Sequence, residues 1–261
     1  MSTIIYPSPI FGPVHSRRLG ISLGINLMPG DGKICTFDCL YCECGLNKDF
    51  RPSMPRPTRK EVAESLEKKL QEMSKDNALP DVLTFAGNGE PTAHPDFAGI
   101  IYDTISLRNK YCKEAKVSVL SNATMSYKKD VHEALKLVDN NIQKLDTIDA
   151  DFIRRIDRPV SHTYDVNKVI EELKAFNGHV IIQTIFLTGK DDRDGVPIDN
   201  TGERYVKPWI EALKEIHPES VMIYTIDRET PIKGLKKASR EQLDAIRDRV
   251  IAEGIHCTAS Y

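Results

Sequence analysis

The chain has 261 residues, with 36 Lys and Arg against 38 Asp and Glu, a net charge of −2 and 40% apolar residues, enough for the core of one α/β domain. That near-neutral balance, with a pI near 6.4, excludes a chain-wide positive field for nucleic acid or a membrane surface and leaves only local patches. No apolar run reaches the ~20 residues of a membrane-spanning helix, and no signal-peptide pattern, repeat or low-complexity tract is present, so a cytoplasmic protein is expected.

Residues 1–20 carry Pro7, Pro9, Pro13 and the adjacent Arg17 and Arg18, too many breakers for a helix, and read as an extended N-terminal arm. A buried strand follows over 21–27 and is broken by Pro29, Gly30 and Gly32. Segment 28–57 is irregular and holds three clustered cysteines, then Lys48, Arg51 and Arg56. Thr58 and Glu61 form a capping box before a helix over 59–74, with Val62, Leu66, Leu70 and Met73 on one face. A strand over 82–86 leads to Gly87-Asn88-Gly89-Glu90-Pro91, and a helix over 95–107 follows.

The alternation then repeats. Strands are expected over 117–120, 142–145, 180–187 and 221–226, with a short terminal strand over 255–257. Val131, Leu135 and Val138 mark one helix, and Val166, Val169, Ile170, Leu173 and Phe176 a second that Asn177-Gly178 stops. Val206, Ile210 and Leu213 mark a third, and Ser239 with Gln242 caps a last one. About six βα units require a parallel sheet with helices between the strands, in a barrel or an open doubly wound form. Cys35, Gly87, Ser121, Asp146, Leu187 and Asp227 then all fall at the C-terminal ends of strands, where such folds place their sites.

Cys35, Cys39 and Cys42 are spaced C-x₃-C-x₂-C within eight residues. Iron–sulfur cubanes ordinarily take four thiolates, so three leave one iron open to a small molecule. Structural zinc is the competing reading, with Cys44 as the fourth thiolate. A disulfide is disfavoured in a reducing compartment, where clustered thiols bind metal. Cys112 and Cys257 are expected as buried small hydrophobes, and the seven histidines show no metal-ligand spacing.

The cysteine loop, with Tyr41 before its third Cys, and Gly87-Asn88-Gly89-Glu90-Pro91 behind it resemble the cluster loop and the S-adenosylmethionine (SAM) motif of the radical SAM enzymes. Phe11-Gly12-Pro13-Val14-His15-Ser16-Arg17-Arg18-Leu19-Gly20 and Ser22-Leu23-Gly24-Ile25-Asn26 are similar to one branch, the iron–sulfur oxidoreductases related to wyosine-forming tRNA enzymes. The resemblance implies an incomplete (β/α)6 radical SAM barrel spanning 1–261 as a single domain. It also implies a 4Fe-4S cluster on Cys35, Cys39 and Cys42, with SAM held by Tyr41, Gly87, Asn88, Gly89, Glu90, Ser121 and Asn122; of the polar residues in the apolar strand over 180–187, Gln183 or Thr184, whichever faces the barrel interior, is a further cofactor contact. Reductive cleavage of SAM to a 5′-deoxyadenosyl radical would need an electron donor of the flavodoxin or ferredoxin kind.

Substrate contacts are expected among Arg17, Arg18, Lys144, Asp146, Asp227 and Arg228, with structural ion pairs as the alternative. Lys144 is the lysine available as a Schiff-base amine. A tRNA nucleotide, a small metabolite and a peptide are the substrate classes. The wyosine-forming relatives carry a second cluster on cysteines before the SAM-cluster loop. No Cys precedes Cys35 here, which removes the main support for transferring their pyruvate chemistry. Phosphate binding needs Lys and Arg, and the candidate patch is Arg17, Arg18, Lys48, Arg51 and Arg56.

Overall fold

The computed structural model describes residues 4–16 and 20–261. Arg17 and Arg18, expected as ligand contacts, lie outside the described residues. The arm is extended, and part of it is a strand: β1 (Ile10–Ser16) pairs antiparallel with β2 (Gly20–Ile25). The prolines are tolerated there because β1 is an edge strand.

Beyond β2 the chain makes α1 (Arg59–Lys75), β3 (Val82–Phe85), α2 (Phe97–Tyr111), β4 (Lys116–Ser121), α3 (Lys129–Leu135) and β5 (Asn140–Lys144). It continues through α4 (Ala150–Ile156), α5 (Val166–Lys174), β6 (Ile181–Ile185), β7 (Leu187–Gly189), α6 (Glu203–Ile216), β8 (Ser220–Tyr224), β9 (Leu235–Lys237), α7 (Arg240–Ala252) and β10 (Cys257–Ser260). The main sheet runs in the order β1-β2-β3-β4-β5-β6-β8-β10. Every pair after the first is parallel. β1 and β10 are its two edges, so among the described residues the sheet stays open, as an incomplete barrel requires.

Both expected capping boxes form, Thr58 with Glu61 on α1 and Ser239 with Gln242 on α7. Between sheet and helices lies the main core, where Leu23, Ile25, Leu83, Phe85, Val117, Val119, Ile182, Val221 and Ile223 meet the apolar stripes of the helices. The opposite, inward face of the sheet is mixed. In register across it stand Thr84, Ser118 and Asn140, then Lys144, Gln183 and Met222.

The structure departs from the sequence reading in three places. The apolar run over 180–187 divides, because Phe186 donates its N–H to the Tyr224 carbonyl at 2.8 Å and Leu187 turns to pair with Lys237 in a separate two-stranded sheet. The terminal strand begins at Cys257, two residues later than expected. α4, unmarked by any long periodic run, closes off the cysteine loop. No helix among the described residues is long and apolar enough to cross a membrane.

Candidate active site

β2 ends at Ile25, and Asn26 begins the irregular segment by capping its own turn: its side-chain oxygen accepts from the Met28 N–H at 3.1 Å and the Asn88 N–H at 3.2 Å. The segment is then fastened to the strip after β3. Ile34 and Gly89 form a parallel bridge. Ile34 N–H donates to the Asn88 carbonyl at 3.0 Å, and Glu90 N–H donates to the Ile34 carbonyl at 3.2 Å. The two motifs that the sequence separates by some 50 residues are therefore one short piece of sheet.

Gly87 and Gly89 have φ of +129° and +142°, which favour glycine. A Cβ on Gly89 would lie 1.8 Å from the Ile34 carbonyl oxygen. The close approach that demands this glycine is the chain's own backbone. Asn88 is fully buried, and its side chain donates to the Tyr6 and Pro29 carbonyls and accepts from the Tyr6 N–H, each at 2.8 Å. That side chain ties the N-terminal arm to the motif, while the Asn88 N–H and carbonyl are engaged by Asn26 and Ile34.

Glu90 is buried. Its carboxylate accepts from the Thr92 N–H at 3.0 Å, from the Thr92 hydroxyl and from the Asn122 N–H at 2.7 Å, so the end of β3 is linked to the end of β4. Burial pushes its pKa up. Asn122 in turn donates from Nδ2 to Thr36 Oγ1 at 2.8 Å and lies 3.7 Å from Cys35 Sγ. Ser121 accepts from the Ala123 N–H at 3.1 Å. Gln183 sits half-buried on the inward face of β6, whereas its neighbour Thr184 faces the helices and donates to the Leu145 carbonyl at 2.7 Å.

The outer side of the cysteine loop is fastened to the end of α4. Asp38 N–H donates to the Asp157 carbonyl at 3.0 Å, Leu40 N–H to the Ile156 carbonyl at 2.9 Å, and Val160 N–H to the Thr36 carbonyl at 2.9 Å. Below this seam is a buried polar knot. Tyr41 hydroxyl donates to Asp157 Oδ1 at 2.8 Å and to Asp146, while Lys144 contacts the Tyr41 hydroxyl and pairs with Asp146 at 2.5 Å and Asp157 at 3.8 Å. Burial pulls the Lys144 pKa down, but Asp146, Tyr224 and Asp157 outweigh it and hold the ammonium well above its ordinary range. A Schiff-base nucleophile has to be neutral, so this setting works against Lys144 in that role.

The thiols face specific groups. Cys39 Sγ lies 3.7 Å from Asp157 Oδ1. Burial raises Cys35 to about 12 and Cys39 well above the usual thiol range. Cys42 is held low by the Cys44 thiol against the effect of burial, with help from Lys33, and Cys44 is correspondingly high. Among the described residues no three His, Cys, Asp or Glu side chains stand in ready metal-binding geometry.

Sequence reasoning missed Lys33. It is only 4% exposed, donates to the Gly45 carbonyl at 2.7 Å, and has no ion pair among the described residues. Burial works against its charge, and Cys42, Cys35 and Cys39 all act to retain it. Of the remaining candidates, Asp227 stands 4.0 Å from the Lys237 ammonium. Arg228 pairs with Glu43 at 2.7 Å and donates to the Tyr6 hydroxyl at 3.0 Å, joining the cysteine loop to the arm.

Residues 31–202 match the family model described as the radical SAM superfamily. A UPF0026 protein of Helicobacter pylori is 33% identical over 241 residues, 90% of this chain and 71% of its own length. The fold resembles Streptococcus suis SuiB bound to S-adenosylmethionine, with a TM-score of 0.61 and 16% identity. That match covers 91% of this chain, which spans half the length of SuiB. It also resembles TYW1 with a lysine-pyruvate adduct bound, with a TM-score of 0.61, 14% identity and coverage of 88% and 73% of the two chains.

Proposed function

The chain belongs to the radical SAM superfamily and is a radical SAM enzyme, and on that premise we propose that Cys35, Cys39 and Cys42 hold a 4Fe-4S cluster whose fourth iron takes SAM. When bound, these cofactors supply one-electron cleavage of a sulfonium C–S bond, giving methionine and a 5′-deoxyadenosyl radical that takes a hydrogen atom from substrate. The electron comes from a donor of the flavodoxin or ferredoxin kind.

The observation that carries the reading is a pair of buried ionisable side chains, Lys33 and Glu90, placed at the cysteine loop and at the strip bridged to it. Among the described residues Lys33 has no carboxylate partner, its anionic neighbours being the thiols of Cys42, Cys35 and Cys39, and Glu90 has no cationic one. Buried charges are ordinarily paired or bound to metal. Lys33, beside the three thiols, fits the negative charge of a thiolate-ligated cluster. Glu90, on the strip bridged to the cysteine loop, fits the ammonium of the SAM methionyl group. Gly87, Asn88 and Gly89 present backbone at the same edge, and Ser121, Asn122 and Gln183 extend it across β4 and β6. Tyr41 fixes the loop through its hydroxyl, and Lys144 with Asp146 keeps that hydroxyl in place.

The substrate is a tRNA nucleotide, a small metabolite or a peptide segment. A comparison of tRNA nucleosides and metabolite extracts from cells with and without the protein separates these classes. Anaerobic reconstitution is expected to load iron and sulfide and to give a reduced-cluster EPR signal that changes on adding SAM. Dithionite and SAM should then yield 5′-deoxyadenosine, and Cys39→Ala should abolish it. Zinc without sulfide, or an intact cluster that yields no 5′-deoxyadenosine under any reductant, would overturn the reading.

A further inference from the structure

The outer face of the cysteine loop is one wall of a cavity of about 570 Å³ whose lining includes Asp38, Asn47, Lys48, Arg51, Arg154 and Arg158. It is an open concavity on the surface rather than an enclosed cleft. Four cations meet a single carboxylate there, in a chain whose net charge is −2. The carboxylate is already neutralised, since Asp38 pairs with Arg158 at 3.1 Å. Arg154 has only a loose pair with Asp151 at 3.7 Å on the exposed surface. Lys48 and Arg51 form no ion pair among the described residues. Two positive charges, Lys48 and Arg51, thus converge on one concavity without an ion pair among the described residues, and Arg154 adds a third that is only loosely paired.

The wall is also preorganised. Asp38 Oδ1 accepts from the Asn47 N–H at 2.6 Å, and Asn47 Nδ2 donates to the Phe37 carbonyl at 3.0 Å. Arg158 has φ of +51°, an unfavourable backbone for a non-glycine residue, and its carbonyl accepts from the Asp38 N–H at 3.1 Å. Two buried polar atoms of these residues, Arg158 Nη1 and Asn47 Oδ1, have no hydrogen-bond partner among the described residues. Both atoms are sealed within the wall, so the cavity presents to a ligand the remaining guanidinium and ammonium groups.

We propose that this cavity binds a phosphate group, carried by a nucleotide or by an RNA backbone, against the outer side of the cysteine loop. The cations expected for phosphate in the sequence included Lys48 and Arg51; the fold adds Arg154 and Arg158 from α4 and its exit. A carboxylate ligand would satisfy the charge less completely, because guanidinium groups arranged around a concavity match a multiply charged oxyanion. The proposal does not depend on radical chemistry, since it concerns residues outside the cluster ligands and the SAM strip.

Binding of AMP, inorganic phosphate and a short RNA hairpin to the reconstituted protein at low ionic strength tests it, by calorimetry and fluorescence anisotropy. The double variant Arg51→Ala/Arg154→Ala, with circular dichroism as the check on folding, should weaken binding at least tenfold. Lys60→Ala, an exposed cation on α1, should leave it unchanged. Affinity for AMP equal to that for RNA would identify a mononucleotide site. Tighter, steeply salt-dependent binding of RNA, with a shallower salt slope in the double variant, would identify the RNA backbone. Absence of binding by all three probes, or equal affinities in wild type and the double variant, would overturn the proposal. So would binding of an acidic electron-transfer protein that phosphate does not compete.

Discussion

The Ile34 carbonyl oxygen occupies the space where a side chain at residue 89 would begin, 1.8 Å from an ideal Cβ position on Gly89. The cysteine loop and the Gly-Asn-Gly-Glu strip can share a bridge only because that position is glycine. Gly89→Ala is expected to destabilise the protein by about 2–4 kcal/mol through backbone displacement and unfavourable φ, and to weaken SAM binding more than tenfold. Gly195→Ala is the comparison: it has φ of +74° but nothing within 4 Å of its Cβ, and should cost only about 1–2 kcal/mol. Urea denaturation and equilibrium SAM binding measure both. Equal losses in the two variants would show that the bridge is not the constraint.

Lys33→Met should leave the three cysteines able to assemble a cluster and lower its reduction potential. A nearby ammonium stabilises the more negative reduced state, and removing it makes reduction harder. Lys33→Arg should retain most of the wild-type potential. An EPR-monitored redox titration reads the shift. An unchanged midpoint in Lys33→Met would mean that the buried ammonium answers some other charge.

Lys144→Met removes the cation from between Asp146 and Asp157, two carboxylates that are 4% and 2% exposed. Breaking a buried charge set from one side typically costs about 3–5 kcal/mol. The triple change with Asp146→Asn and Asp157→Asn should recover part of that loss. Chemical denaturation of the single and combined variants tests the coupling, and purely additive losses would contradict it.

Where many of the candidate residues fall in the fold was legible because the signals are local. The C-x₃-C-x₂-C spacing, the Gly-Asn-Gly-Glu strip and the strand ends at Ser121 and Asp146 all sit within a few residues of a periodic element that fixes their position. Lys33 was not legible: a single lysine between Gly32 and Ile34 has no periodicity, and its burial results from contacts with Gly45 across the loop. Asp157 joins Tyr41 from 116 positions away, a distance over which no sequence pattern operates. Asn88 looked like a ligand contact because it lies inside a motif, yet its side chain is taken up by Tyr6 and Pro29. The division of the run at 180–187 was hidden because every residue in it favours strand, and only pairing with Lys237 shows where the second sheet begins.

Stability in acid should depend on Asp191. It is fully buried, accepts from Arg193 Nε at 2.9 Å and from Arg155 Nη2 at 3.1 Å, and the Arg193 hydrogen bond holds its pKa down at about 2. A depressed carboxylate contributes stability above its unfolded value near 4, and that contribution is lost as the pH falls through about 2. Asp191→Asn should therefore lower stability at neutral pH and flatten its decline between pH 4 and 2. Urea midpoints across that range measure it, and parallel pH profiles for variant and wild type would refute the assignment.

Arg228 reaches Tyr6 across 222 positions and Glu43 across 185. During synthesis the cysteine loop leaves the ribosome long before this latch exists, so nascent chains carry the thiols on a loop whose last clasp is missing. Closure waits for β8 and the turn that follows it. One arginine thus makes the outer clasp of the cysteine loop depend on the last third of the chain.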